Sequence, residues 1–271
     1  PDGRFLAYAS RRSGGWDLYT METTSGTVLR VTRSQYFKGA PTWSPDGRWL
    51  AYEAYQDGNL DLYVLNIESG EEQRLTQDPA PDYSPAWSPD GRHIAFTSYR
   101  NQNQDLYVLS LDDASVANLT QTPNQNEDYA AWSPTGEFLA YSAGVPGGET
   151  IWRIPFDKEA AARGELRPVL FGVGGMPTWA PDGQALAFVY RQEAVTYLIA
   201  ADMRGWGLTQ EGYSSSDTLG RPHWYGGRLN PDWEASLVGH TTSDAAKATS
   251  QLYTELLMSA DTDVYSLVHL P

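Results

Sequence analysis

The sequence predicts an all-β fold. It reads as one β-propeller domain over residues 1–271, with six four-stranded antiparallel blades, the first and last incomplete or irregular. Three markers recurring in fixed phase carry this expectation. Trp-Ser-Pro-Asp-Gly-Arg fills 43–48 and 87–92, and returns as Trp-Ser-Pro-Thr-Gly-Glu at 132–137 and Trp-Ala-Pro-Asp-Gly-Gln at 179–184. A degenerate copy fills 223–228, so the Trp spacings are 44, 45, 47 and 45. Asp-Leu-Tyr begins at Asp17, Asp61 and Asp105, with weaker copies at 151–153 and 196–198. A third marker ends on Thr32, Thr76, Thr120 and Thr209.

Each unit divides into four short strands. In the second, 40–44 is an inner strand, and Pro45, Asp46 and Gly47 make a turn in which Pro fixes φ and Gly permits positive φ. Residues 49–55 are apolar and aromatic, a strand composition. Asp57, Gly58 and Asn59 close a hairpin. Residues 60–67 form the third strand, with Leu60, Leu62, Val64 and Asn66 on one face, and 73–76 a short outer strand. Helical solenoids need a 3.6-residue period, which is absent.

Blade one covers 1–33 without an inner strand, and opens on a motif copy with its front cut away, as in a piece of a longer protein. Blades two to five fall at about 38–77, 82–121, 127–171 and 174–210. A short helical turn is expected over 157–163, ended by Gly164. Clear repeats run over 1–226, and 227–271 is a divergent closing segment. Blade six starts at 221–225, with 235–242 and 251–257 as its next strands. Residues 243–260 also fit a helix capped by Ser243. Residues 264–270 are either blade six's outer strand or the missing inner strand of blade one, which would remove an open sheet edge.

The motif Trp-Ser-Pro-Asp-Gly-Arg, followed by an apolar strand, Asp-Leu-Tyr-Val and Arg-Leu-Thr, resembles the TolB-like (WD-like) propeller repeat. The resemblance covers 1 to about 226. It implies that 40–44 lines the channel and 73–76 lies outermost. It also implies a non-catalytic scaffold of the bacterial cell envelope, extracytoplasmic (periplasmic or at the cell surface), that holds partner proteins such as peptidoglycan-associated lipoprotein. A second implied reading is the substrate-gating propeller of a prolyl-oligopeptidase-like serine hydrolase, with its catalytic domain outside this chain. A third, a lyase or hydrolase with its site in the channel, would need metal ligands.

Composition narrows the partner. The net charge is −15 and only three residues are Lys, an unfavourable balance for nucleic acid or anionic lipid. Without Cys there are no disulfides and no thiolate chemistry. No apolar run is long enough to insert across a bilayer. No nucleophile elbow, His-Glu-x-x-His or P-loop occurs, so no catalytic residue, metal ligand or cofactor is assigned. His93, His223, His240 and His269 are scattered, and His223 alone adjoins an inner strand. Asp57, Asn59, Asp61 and Glu68 imitate part of a calcium loop, but Leu62 stands where the bend needs Gly.

Residues present in every unit serve every blade. The motif Trp (43, 87, 132, 179, 224) is read as a wedge between blades with its ring N–H bonded, and the Asp of Asp-Leu-Tyr as a ligand for turn amides. Variable loops entering the inner strands carry Asp78, Asp82, Glu127, Asp128, Glu211 and Asp217, together with Tyr36, Tyr83, Tyr129 and Tyr213. Only Arg33 and Lys38 oppose them. Asp-Tyr recurs in two consecutive blades, which selects Asp82, Tyr83, Asp128 and Tyr129 as the binding patch for a protein or a polar or cationic ligand. Glu53 sits where other blades have Ala9, Thr97, Ser142 and Val189, and is expected to be partly buried with a raised pKa.

Overall fold

The computed structural model describes residues 2–145, 148–192, 195–203, 208–209 and 214–215. These residues form five antiparallel sheets arranged as successive blades. Blade one has β1 (Phe5–Ser10), β2 (Asp17–Glu22) and β3 (Val28–Arg30). Blade two has β4 (Phe37–Trp43), β5 (Trp49–Gln56), β6 (Asn59–Asn66) and β7 (Glu72–Arg74). Blade three has β8 (Asp82–Trp87), β9 (His93–Ser98), β10 (Asp105–Ser110) and β11 (Val116–Asn118). Blade four has β12 (Asn126–Trp132), β13 (Phe138–Val145), β14 (Gly148–Pro155) and β15 (Val169–Val173). Blade five has β16 (Gly175–Trp179), β17 (Ala185–Gln192) and β18 (Val195–Asp202), whose outer edge pairs with both β19 (Leu208–Thr209) and β20 (Ser214–Ser215). The sixth blade expected over 221–271, with its alternative helix and ring-closing strand, lies outside the described residues.

The predicted helical turn is α1 (Lys158–Ala162). Asp157 caps it by accepting the Ala160 N–H, and Gly164 follows at φ +65.

The core lies in the seams between blades. A strand inside a blade is covered on both faces, so successive side chains enter opposite seams. In β5 and β6, Tyr52, Ala54, Tyr63 and Leu65 pack on Leu18 of blade one. Ala51, Leu62 and Val64 pack the other way, on Ile94, Phe96, Tyr107 and Leu109 of blade three. The expected alternation in β6 is therefore present, but both of its faces are buried.

At one end of the blades, the Ser-Pro-Asp-Gly turns form a collar. Ser44 Oγ donates to Asp46 at 2.6 Å and accepts Trp49 N–H at 2.9 Å, and Gly47 takes φ +71. Pro45 sits against Gly91 of the next blade, Pro89 against Gly136, and Pro134 against Gly183.

The wedge role of the motif Trp, with its ring N–H bonded, holds at three blades. Trp132 donates across its seam to the Ala86 carbonyl and Trp179 to that of Ala131, both at 3.0 Å. Trp87 packs into the seam between blades two and three and donates to Gly91 in its own turn at 3.2 Å, and Trp43 Nε1 is buried with no partner among the described residues. Trp224 lies outside the described residues.

The Asp of Asp-Leu-Tyr joins the second marker to the third, which is more than the expected turn capping. Asp17 accepts from Arg30 at 2.5 Å and Thr32 at 3.0 Å; Asp61 accepts from Arg74 at 2.6 Å and Thr76 at 3.4 Å. The same Thr hydroxyls accept the N–H of Leu18 and Leu62. In blade three, Asn118 replaces Arg and donates to Asp105 at 2.7 Å. Turn amides contribute at Ser34 and Thr122.

Candidate functional site at the mouth of the blades

The opposite end of the blades, away from the collar, is the mouth. Here the inner strands begin and the hairpins between second and third strands turn. Each complete inner strand carries one residue at positive φ: Ala40 (46), Ser84 (52), Tyr129 (56) and Met176 (55). The register against the second strand shifts at each of these positions, which marks a bulge. A left-handed residue turns its backbone N–H away from the sheet ladder and towards the seam. The preceding blade supplies the polar group that meets this point. Glu53 Oε2 accepts Ser84 N–H at 2.8 Å, and Ser142 Oγ accepts Met176 N–H at 2.7 Å. In the seam between them, Thr97 donates to Asp128 at 2.9 Å, and Asp128 accepts Tyr129 N–H at 2.6 Å.

Burial then sorts the proposed patch. Asp82 is fully buried, and Arg100 Nη2 reaches its Oδ2 at 2.7 Å. The Arg100 guanidinium lies 5.4 Å from the Phe96 ring and 5.3 Å from that of Tyr107. Asp82 therefore faces a seam and not solvent. Its structural counterpart in blade four is the equally buried Glu127, because Asp82 pairs with Ser98 and Glu127 with Ala143. The counterpart of Tyr83 is Asp128, and that of Ser84 is Tyr129. The two Asp-Tyr dipeptides are thus out of phase by one residue. With a side-chain period of two, one step moves a group to the other face.

Lys38, the expected opposing cation, is buried too, and donates to Tyr52 Oη at 3.1 Å and Glu72 at 2.8 Å. Asp78 lies 3.5 Å from Arg100 at the rim, and Tyr36 is exposed. Glu211, Tyr213 and Asp217 lie outside the described residues, as do His223, His240 and His269. Asn59 donates to Asp61 and to the Asp78 carbonyl, which completes the hairpin where the sequence imitated a calcium loop.

Three groups remain together at the mouth: Glu53, Tyr83 and Asp128. Burial, with Asp128 nearby, pushes the Glu53 carboxyl up to about 7, although the Ser84 amide opposes this. Burial and Asp128 also raise the Tyr83 phenol, which bonds the Gln104 amide. Gly39 leaves room for the Glu53 carboxyl: a Cβ there would come within 2.9 Å of Oε1. The expectation for Glu53 is met in burial and direction, and the group it accepts from is a backbone amide. This cluster can accept hydrogen bonds, donate one from a neutral Glu53, and attract a cation.

Comparison with known proteins follows the same lines. The family model for the TolB beta propeller domain matches residues 1–210. The chain belongs to the TolB propeller family. TolB from Acinetobacter baumannii superposes with TM-score 0.68 at 20% identity, over 82% of this chain and 55% of that one. The putative TolB from Agrobacterium tumefaciens gives 0.60 at 20%, over 75% and 79%. A puromycin-hydrolyzing peptidase from Mycobacterium tuberculosis gives 0.56 at 16%, over 76% of this chain and 37% of that one. These likenesses show the fold. This chain therefore spans about half the length of the Acinetobacter TolB. No curated protein matches by sequence. Among the described residues, no helix is long and apolar enough to cross a membrane.

Proposed function

We propose that this TolB-family propeller is a non-catalytic binding module that engages a protein or polar, cationic ligand at the mouth, outside the cytoplasm. The observation that carries the reading is the cluster of Glu53, Tyr83 and Asp128 at the open ends of neighbouring seams, where burial, with Asp128 adding to it, raises both of the others. Tyr129, at its left-handed bulge, holds Asp128 through its own amide. Asp82 acts from beneath. Its bond to Arg100 fixes the end of blade three that carries Tyr83 and Tyr99, whose rings lie 6.2 Å apart. Residues 221–271 complete a sixth blade in this proposal. No nucleic acid partner fits a charge of −15.

A gating propeller of a serine hydrolase is the second reading, favoured by the peptidase that matches most of this chain with only 37% of its own length. A Gly-x-Ser-x-Gly segment with a downstream His in the flanking sequence would decide for it.

The test measures association of a fluorescent oligolysine peptide with wild type and with Asp128→Asn. Wild type should bind with an association rate that falls as salt rises, and Asp128→Asn should bind more weakly with a shallower salt dependence while its far-UV spectrum stays unchanged. Equal binding of an oligoglutamate peptide, or an unaltered salt dependence in the variant, would reject the reading.

A further inference from the structure

We infer that the mouth carries a bipolar track for an extended polypeptide, basic over blade one, aromatic across blades one to three, and acidic over blades three and four. This rests on the mouth being the binding face, and adds the partner's shape and the direction in which it lies.

The aromatic floor runs over blades one to three and is one-sided. Trp16 meets Phe37 edge-on at 6.2 Å, and Phe37 lies opposite Tyr55 in the sheet register. Tyr55 is 53% exposed and Tyr99, its counterpart one blade on, 41%. Tyr99 in turn contacts Tyr83. The next counterparts are Gly144 and Arg191, so the floor stops at blade three. Tyrosine gives flat, amphipathic contact area at little cost in side-chain freedom, which suits recognition of an extended chain.

Charge gives the floor its direction. Arg11, Arg12 and Arg33 are all exposed at the mouth end of blade one, in a chain with 19 Lys and Arg against 34 Asp and Glu. The Arg11 guanidinium stands 5.9 Å from the Trp16 ring, at one end of the floor. At the other end stand Asp128 and the exposed Glu149, whose carboxylate lies over Gly175 in the next seam. A ligand lying along the floor thus has the Arg11 and Arg33 cations at its blade-one end and the Asp128 and Glu149 carboxylates at the other, with exposed Asp57 in the hairpin beside Tyr55 between them. A polypeptide with a carboxylate near one end and a Lys or Arg near the other complements both, and its cation gains from the Tyr83 and Tyr99 rings beside Asp128. Neutral glycans lack the paired charges, and polyanions are repelled at the acidic end.

The experiment uses the full chain and fluorescein-labelled decapeptides read by anisotropy. The bipolar probe carries two glutamates at one end, two lysines at the other, and alternating serine and leucine between. Controls carry lysines, or glutamates, at both ends, and a neutral glucan hexamer serves as competitor. Wild type should bind the bipolar probe about tenfold tighter than either control, the scale of one or two added ion pairs or cation–π contacts. Arg11→Glu with Arg33→Glu should shift the preference to the doubly basic probe. Tyr55→Ala with Tyr99→Ala should weaken every peptide about tenfold with the strand spectrum intact. Equal binding of bipolar and doubly basic probes by wild type, an unaltered preference in the Arg variant, or displacement by the glucan would overturn the track. If the doubly basic probe still binds through Asp128, the mouth reading survives that failure. If no probe binds, both fall.

Discussion

Glu127→Gln isolates the energetic cost of one buried acid. Glu127 is fully buried and held by the hydroxyls of Thr120, at 3.1 Å, and Thr122. Burial outweighs those bonds and, with Asp105 nearby, pushes the carboxyl up to about 7, against 4.5 in the open chain. Between these values the folded state keeps a proton that the unfolded state has lost. Stability linked to this group is complete below 4.5 and falls as pH rises through 7, by about 3 kcal/mol in all. Gln has no proton to lose, so this dependence disappears. It also offers one oxygen to two hydroxyls, which costs about 1 kcal/mol at every pH. The variant should therefore be slightly less stable than wild type at pH 5 and about 2 kcal/mol more stable at pH 8. Urea unfolding at a series of pH values measures the difference. A stability difference that does not change between pH 5 and pH 8 would refute the assignment of a neutral buried Glu127.

Three further outcomes follow from the seams. Trp179→Ala should cost about 3–5 kcal/mol in chemical denaturation, because a nearly buried ring and its bond to Ala131 are lost together. A loss below about 0.5 kcal/mol would mean a surface role. Asp61→Ala should cost about 3–5 kcal/mol, since it leaves Arg74 and Thr76 without their shared acceptor, and restoring charge with Asp61→Glu should recover only part of it. Gly174→Ala should destabilise by more than about 1 kcal/mol, because φ is +141 and a Cβ would sit 2.8 Å from the Val189 carbonyl. Gly175→Ala should be milder, since there the clash is with the mobile end of exposed Glu149.

The blades were legible because their signals are local and periodic. Ser44, Asp46 and Gly47 make one turn, and the same chemistry recurs at Ser88, Asp90 and Gly91. The helical turn at 157–163 was legible for the same reason, a cap and a terminal Gly. The link between Asp61 and Arg74 was not, because it joins two markers across the turn between β6 and β7, and each marker alone has a bland reading. The mouth was misread by one residue. Asp82 and Asp128 look alike beside a Tyr, but phase counted from the motif Trp pairs Asp82 with Glu127. Counting back from each Trp would have placed Asp82, Glu127 and Lys38 at one buried level. The repeat does align Glu53, Thr97 and Ser142, but not their meeting with the next blade's bulge, which is a contact between blades.

Amide hydrogen exchange with and without the oligolysine peptide tests the binding reading most directly. The account predicts slowed exchange confined to the mouth, in segments holding the amides of Ser84 and Tyr129 and the hairpin ends near Tyr55 and Tyr99. Protection centred on the collar turns at 44–48 and 88–92, or spread evenly over all five described blades, would contradict it.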